Sequence, residues 1–485
     1  MSFATRTVFI ALLTKEYLGV NGLFSNILSI LSLAELGAGG AFVSLLYQPL
    51  AEHDAKRLAS VMTAYKKVYF FIGCITGFVG VCFIPFLGFF TNYSTLPDLP
   101  LIYLLFLANS VVTYFCADRK DLITADQKGY LITTYSQISV IVQYALQILL
   151  LLLTHNYILY LSVQIACSVG LSFYVVIKAR HLYPFLKEPA APLSAEDRTT
   201  IRKKITGGAC VHAGYVVASG TDSLVITHFL GLGVLGVYSN YLLIINMISK
   251  LTNMVLSAVR PSASNLVVST SPQNSYAFFR KLNFMTVLMM GFCATCLITL
   301  LNPFITVWIG TDFLLDTGLV ILAVLIYVTG CYGLKYPLII YRDAMGLYTR
   351  DQIVSLAEGF INLAISLTLA RPLGLAGIFL GTVLSSICTF VSSSYLVYRY
   401  IFQRPPWEYW RTMLGYGLIV TGVGCAVYRI SYLIPHSSWP TFFLMAAVCA
   451  ILTLACYILI FYRTEEFQYF WNLLRQGLHK RTGRT

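Results

Sequence analysis

Long apolar runs separated by short polar stretches set the pattern of this chain. The runs fall at about 23–46, 68–90, 101–117, 130–153, 157–177, 205–229, 237–259, 282–307, 318–341, 353–370, 375–398, 412–430 and 441–462, with a shorter one at 2–17. About 20 apolar residues cross a bilayer as a helix. Only a helix or a closed barrel satisfies every backbone polar group in hydrocarbon. The pattern therefore predicts an all-α polytopic membrane protein of about 14 spans, the first one shortened. An even number of spans puts both termini on one side.

A signature occurs twice within this pattern, about 213 residues apart. Its first copy is Tyr17-Leu18-Gly19 followed by Gly22-Leu23-Phe24-Ser25-Asn26. Its second is Phe229-Leu230-Gly231 followed by Gly236-Val237-Tyr238-Ser239-Asn240. Each closes one apolar segment and opens the next, which reads as a tight turn between two spans. Duplicated bundles are a common transporter design, with the substrate path between the halves near the membrane midplane. The repeat predicts an N-terminal lobe at 1–181, a linker at 182–204 holding Pro184, Pro189 and Pro192, and a C-terminal lobe at 205–400. Spans 13 and 14 follow at 401–462, and a tail at 463–485. The six-helix lobes should be related by a pseudo-two-fold axis normal to the membrane. Laying 205–229 onto the first span leaves that span about a third short, so the opening helix is expected to be incomplete.

Composition agrees with this picture. Of 485 residues, 58% are hydrophobic and 11% charged, with mean hydropathy +0.75. A soluble domain carries about 25% charged residues. The net charge of +13 could suggest nucleic acid, but 27 of the 33 Lys and Arg sit on alternate loops and the tail. The opposite loops hold only Lys15, Arg371 and Arg429. By the positive-inside rule the basic side is cytoplasmic, and both termini with it. No secretory signal peptide is expected. The outward loops are short, leaving no extramembrane domain for a catalytic centre, so an enzyme is not expected. The 12 cysteines lie in or beside apolar segments and read as small hydrophobes. Cys293 and Cys296 form a CxxC without the second pair or histidine that a metal site needs.

Polar residues recur on single faces of several spans, and a charge there normally meets water or another helix. Asn246, Lys250, Asn253, Ser257 and Arg260 share one arc of span 8. Lys250 lies too deep to snorkel easily, which points to a cavity; Arg260 could simply end the span. Span 7 aligns His212, Tyr215, Ser219, Asp222 and Ser223, where His212 and Asp222 suit proton coupling and Asp222 could instead pair with Lys250. In span 2, Ser25, Ser29, Ser32 and Gly39 suggest close packing, while Glu35 needs a partner or water. Span 11 repeats the theme with Ser355, Glu358, Asn362 and Ser366. Ser139, Gln143 and Gln147 in span 5 suit interhelical hydrogen bonds. Span 10 carries Lys335, Arg342 and Asp343, with Pro337 expected to kink it. In the tail, Phe467, Phe470, Trp471, Leu474 and Leu478 share a face, an amphipathic helix on the inner membrane surface.

Several motifs carry a resemblance. They are Tyr17–Ser29, Leu33-Ala34-Glu35-Leu36-Gly37, Ala125-Asp126-Gln127-Lys128, Tyr238-Ser239-Asn240-Tyr241-Leu242, Leu301-Asn302-Pro303-Phe304 and Tyr341-Arg342-Asp343-Ala344. The chain resembles bacterial polysaccharide repeat-unit flippases of the multidrug/oligosaccharidyl-lipid/polysaccharide exporter superfamily. The resemblance runs from Arg6 to about Tyr400. It implies a two-lobed core of twelve helices plus helices 13 and 14 in the cytoplasmic membrane. It also implies export of an undecaprenyl-pyrophosphate-linked oligosaccharide by alternating access, with polysaccharide polymerase and other glycan assembly proteins as partners. Relatives line the cavity with basic residues on helices 1, 2 and 8. Here Arg6 suits helix 1, and Lys250 and Arg260 suit helix 8, with Lys335 as a further basic group. Helix 2 departs, offering Glu35. No cofactor is implied.

Three other functions remain open at this stage. A drug/cation antiporter on the same scaffold predicts acidic cavity faces, against which the basic arc of span 8 weighs. An integral-membrane enzyme such as a polysaccharide polymerase needs a large outward loop. A non-transporting scaffold leaves the intramembrane charges unexplained.

Overall fold

The computed structural model describes residues 3–35, 38–52, 54–90, 98–184, 197–199, 201, 220–330, 333–345, 347–435 and 438–481. Among these, all regular structure is helical. Eight of the described helices are long and apolar enough to cross a membrane, and a bent pair at 44° would make a ninth as one span. The chain is an all-α polytopic membrane protein.

Several expected spans are broken, for visible reasons. α1 is short (Phe3–Leu12) and is followed by α2 (Lys15–Leu31). The span expected at 23–46 is divided: α2 passes through a 3₁₀ turn at Ser32–Glu35 before α3 (Ala38–Ala51). α4 (Ala55–Cys82) starts on Asp54, whose carboxylate accepts from the Arg57 amide at 3.0 Å. α5 (Leu99–Tyr114) and α6 (Ala117–Ala125) are the bent pair. α7 (Gly129–Thr154) and α8 (Tyr157–Leu182) form a hairpin turned by Asn156, which accepts from the Ile158 amide at 2.8 Å. Residues 220–230 form α9, and α10 spans Leu232–Ser269.

The expectation of a tight turn at each signature copy holds for one copy only. In the second copy, Gly231 separates α9 from α10 at φ +88°, a left-handed backbone that glycine adopts without a Cβ clash. In the first copy the break comes earlier, at Leu13–Thr14, and Tyr17–Asn26 lies wholly inside α2. The glycines there serve a close approach. A Cβ on Gly19 would sit 2.2 Å from the Leu232 carbonyl oxygen, so only glycine admits that backbone. Gly22 faces the Leu235 side chain, and Gly220 faces Ile30. The Asn26 amide donates to the Ser223 hydroxyl at 2.6 Å. The two copies of the signature therefore pack on each other. Ser25 and Ser29, expected to pack, are exposed.

The chain divides into two compact units, Met1–Gly236 and Val237–Thr485. In the first, Phe42 stacks on Tyr65 at 4.5 Å, within a core that includes Leu46, Val61, Leu122 and Ile132. Gln147, buried on α7, donates to the Tyr160 carbonyl of α8 at 3.1 Å, one of the interhelical bonds its position suggested.

In the second unit α11 (Pro272–Ile309) is the hub. α12 (Thr317–Thr329), α13 (Tyr336–Ala344), α16 (Pro406–Ser431), α17 (Trp439–Phe461) and α18 (Glu465–Arg481) all touch it. The span expected at 318–341 is two helices. Pro337 does not kink a continuous helix. It sits in the first turn of α13, where its missing N–H is no loss. α14 (Tyr348–Leu373) and α15 (Leu375–Leu396) form a tight hairpin. There Asn362 donates to Thr382 at 2.9 Å, and Ser366 lies against the bare backbone of Gly381.

The Gly19 contact gives a direct test. Gly19→Leu must push α2 off Leu232, and overpacking of this kind costs about 1–3 kcal/mol. Thermal unfolding of purified protein should show a clear loss of stability. Gly170→Ala, at a helical glycine with nothing within 4 Å of the added Cβ, should leave the midpoint unchanged or slightly raised.

Candidate functional site

Charged and polar groups inside the first unit gather around the break between α2 and α3. Glu35 ends the 3₁₀ turn and accepts a hydrogen bond from the Tyr69 hydroxyl at 2.5 Å. One turn earlier on α4, Tyr65 donates to Asp121 of α6, also at 2.5 Å. The two tyrosine rings meet edge to face at 4.9 Å. A Cβ on Gly39 would lie 2.7 Å from the Tyr69 hydroxyl, 3.5 Å from that of Tyr65 and 3.6 Å from Glu35 Oε1. Two phenols and the Glu35 carboxylate thus converge at one point, and Tyr65 extends the cluster to Asp121. The sequence had singled out Glu35 alone. The spacing of Tyr65 and Tyr69, one helical turn apart in an apolar run, was the available signal for its partner.

Arg6 is buried on α1, near Tyr160. Phe9, on the same helix, packs edge-on against Tyr157 and Tyr160 at 5.4 and 5.7 Å. Asp222 is half-buried on α9, next to the Ser223 that Asn26 engages. His212, Tyr215 and Ser219 lie outside the described residues.

In the second unit the arc foreseen on span 8 is present on α10. Asn246, Lys250, Ser257 and Arg260 are exposed, and Asn253 is half-buried. Leu256 and Ala263 on the same helix are fully buried, so the arc is the uncovered side. Its two cations differ. Arg260 donates to Asp343 at 3.0 Å, and Arg342 holds the other oxygen of that carboxylate at 3.0 Å. Lys250 makes no ion pair with another described residue.

Lys335 and Glu358, considered separately in the sequence, come together. Lys335 is 3% exposed, and its ammonium donates to Glu358 at 3.2 Å and to the Thr389 hydroxyl at 2.7 Å. Breaking such a buried pair is costly, because the remaining charge is left without a partner. The pair joins the start of α13 to α14 and α15. The Ser355 side chain lies outside the described set.

A feature that no motif marked is an apolar cavity of about 640 Å³ walled by α11, α12 and α16. Met290, Ala294, Ile298, Leu325 and Val420 line it, with Arg429 toward the end of α16. Its volume falls within the range of about 300–1,000 Å³ usual for ligand sites. Such a lining offers dispersion contacts to an apolar chain and little to a sugar.

No family model and no curated protein matches this sequence. Solved structures do. A lipid II flippase, MurJ, in an inward closed conformation is similar at TM-score 0.67 and 14% identity, over 95% of this chain and 99% of that one. An inward-facing multidrug resistance MATE family transporter of the MOP superfamily is similar at TM-score 0.59 and 14% identity, over 80% of this chain and 92% of that one. A MOP superfamily transporter from Pyrococcus furiosus, whose binding pocket is described as reversed in polarity, follows at TM-score 0.53 and 11% identity, over 82% and 91%. At these identities the likeness is one of fold, and the chain has the fold of the MOP superfamily of transporters and flippases.

Proposed function

We propose that this protein is a flippase. It would move undecaprenyl-pyrophosphate-linked oligosaccharide repeat units from the inner to the outer leaflet of the bacterial cytoplasmic membrane, for capsule, surface-antigen or exopolysaccharide assembly. One observation carries the reading: the second unit holds both an exposed polar arc with an ammonium, Lys250, that makes no ion pair among the described residues, and an apolar cavity of about 640 Å³. A lipid-linked sugar has matching parts, an anionic pyrophosphate beside hydroxyls and a long apolar chain. Burying that chain is worth about 0.8 kcal/mol per CH₂. The lipid II flippase among the similar structures is a protein named for a lipid-linked substrate, which favours the same class.

In this reading Lys250 meets the pyrophosphate, with Asn246 and Asn253 as hydrogen-bonding neighbours. Arg260, already held by Asp343, adds field more than contact. Lys335 is the counter-charge of Glu358, and Arg6 supports the first unit. Glu35 and Asp121, linked through Tyr69 and Tyr65, are the groups through which a proton would act on the α2–α3 break; Asp222 and His212 are further coupling candidates. The basic side is cytoplasmic, with both termini there. A polysaccharide polymerase would take the product on the outer face.

Alternating access requires one mouth of the path to part as the other closes. We assign the contact between the two signature copies to the outer mouth, since both copies open spans that begin on the outward side of the proposed topology.

Two experiments follow, both read as translocation of lipid-linked oligosaccharide in cells lacking their own flippase. Lys250→Ala should weaken substrate binding tenfold or more, as loss of a charged hydrogen bond worth about 1.5–3 kcal/mol would. Lys250→Arg should keep part of the activity, and Lys178→Ala, in the last turns of α8, should do little. Full transport by Lys250→Ala at normal abundance would remove Lys250 from the site. Separately, Asn26→Cys with Ser223→Cys places two thiols where a hydrogen bond now joins α2 to α9. Bridging them should stop transport, and reduction should restore it. Undiminished transport by the bridged protein would mean that this contact is a fixed joint.

A further inference from the structure

The tail helix α18 begins at Glu465, close behind the span that ends at Phe461. Its start is fixed by Thr464, whose hydroxyl accepts from the Phe467 amide at 3.4 Å. Sequence pattern alone put its whole apolar face into lipid. The structure uses part of that face differently. Phe467 and Phe470 pack on the second unit, against a core of Phe284, Val427, Tyr457 and Phe461. Glu466 is buried and ion-paired with Arg280 of α11. Next to it, the Lys281 ammonium sits 3.9 Å from the centre of the Tyr469 ring. The first two turns of α18 are therefore docked on the start of α11, with Phe467 and Phe470 packed on protein.

What remains outward has another chemistry. Trp471 is 44% exposed and Tyr462 48% exposed. Arg475 lies over the Trp471 ring at 5.4 Å, and Arg463 over the Tyr462 ring at 5.2 Å. Both arginines are exposed. Aromatic rings with basic side chains just beyond the end of a span are the composition of a membrane–water interface. After Phe461 the chain carries Arg463, Arg475, Lys480, Arg481 and Arg484 against Glu465 and Glu466, and Arg280 neutralises Glu466.

We infer that the outward side of α18, together with Tyr462 and Arg463, is a binding surface for anionic lipid headgroups. Because Phe467 and Phe470 pack on the protein, the exposed arginines beside Trp471 and Tyr462 carry the lipid selectivity of this surface. The surface should select anionic over zwitterionic lipid and should weaken with salt, whose Debye length is about 10 Å at 0.1 M. Since Glu466 and Tyr469 grip α11, one wall of the apolar cavity, lipid held at the tail is mechanically tied to that wall. This inference does not depend on which substrate the protein carries.

The test uses the full chain reconstituted in nanodiscs. The Trp471 contribution to fluorescence is the difference between wild type and Trp471→Phe. It should be quenched more by brominated phosphatidylglycerol than by brominated phosphatidylcholine, and the preference should fade at high salt. Each basic side chain near an anionic surface is worth about fivefold in lipid preference. Arg475→Gln and Arg463→Gln should each reduce the preference by about that factor, with helical content unchanged. Equal quenching by the two lipids would overturn the proposal. So would quenching of Trp471 by aqueous acrylamide alone, which would leave the surface to a soluble protein partner.

Discussion

The close approach of α2 to α9 and the start of α10 is the constraint on which the first unit rests. Helices in lipid gain nothing from excluding water from each other, so they associate by backbone proximity, dispersion and a few interhelical hydrogen bonds. Gly19 supplies the proximity, its missing Cβ leaving room for the Leu232 carbonyl. Gly22 and Gly220 extend the bare surface, and Asn26 adds a hydrogen bond to Ser223. A contact made this way is dense yet has little area and one polar tie.

The second constraint is the treatment of charge away from water. An ion in hydrocarbon costs about 2.5–3.5 kcal/mol even on lenient scales, and the second unit meets that cost by neutralisation. Lys335 is enclosed by Glu358 and Thr389. Arg260 and Arg342 share Asp343. Arg280 takes Glu466 from the tail. The pairs Lys335–Glu358, Arg260–Asp343 and Arg280–Glu466 each join separate elements, so those charges also serve as rivets. Lys250 stands apart because it is exposed and has no such partner among the described residues. A charge left without a counter-ion needs water or an anion, and this difference is why substrate contact is proposed for Lys250. The first unit also pairs acids with cations, Asp197 with Arg57 and Asp126 with Lys128, but gives Glu35 and Asp121 tyrosine hydroxyls.

The amino-acid sequence by itself determined the all-helical membrane class, several of the long apolar helices and the polar arc of α10. These follow from composition and from the 3.6-residue period, which act locally. The sequence also marked Gly19 and Gly231 as special, and located Glu35, Lys250, Lys335 and Glu358. It misjudged what some of these residues do. Both signature glycines looked like turn formers; tertiary packing made Gly19 a contact and left only Gly231 as a turn. Pro337 looked like a kink and proved to be an ordinary helix start, since the break lies before it. The tail looked like a lipid-facing stripe, until Phe467 and Phe470 found protein partners. Nothing in linear spacing joins Lys335 to Thr389, Tyr65 to Asp121 or Arg280 to Glu466. Those pairs lie far apart along the chain, and only the packed helices decide which charges meet. The cavity between α11, α12 and α16 was illegible for the same reason. Its lining residues are ordinary apolar side chains, and a void is a property of how surfaces fail to fill space, which no single segment encodes.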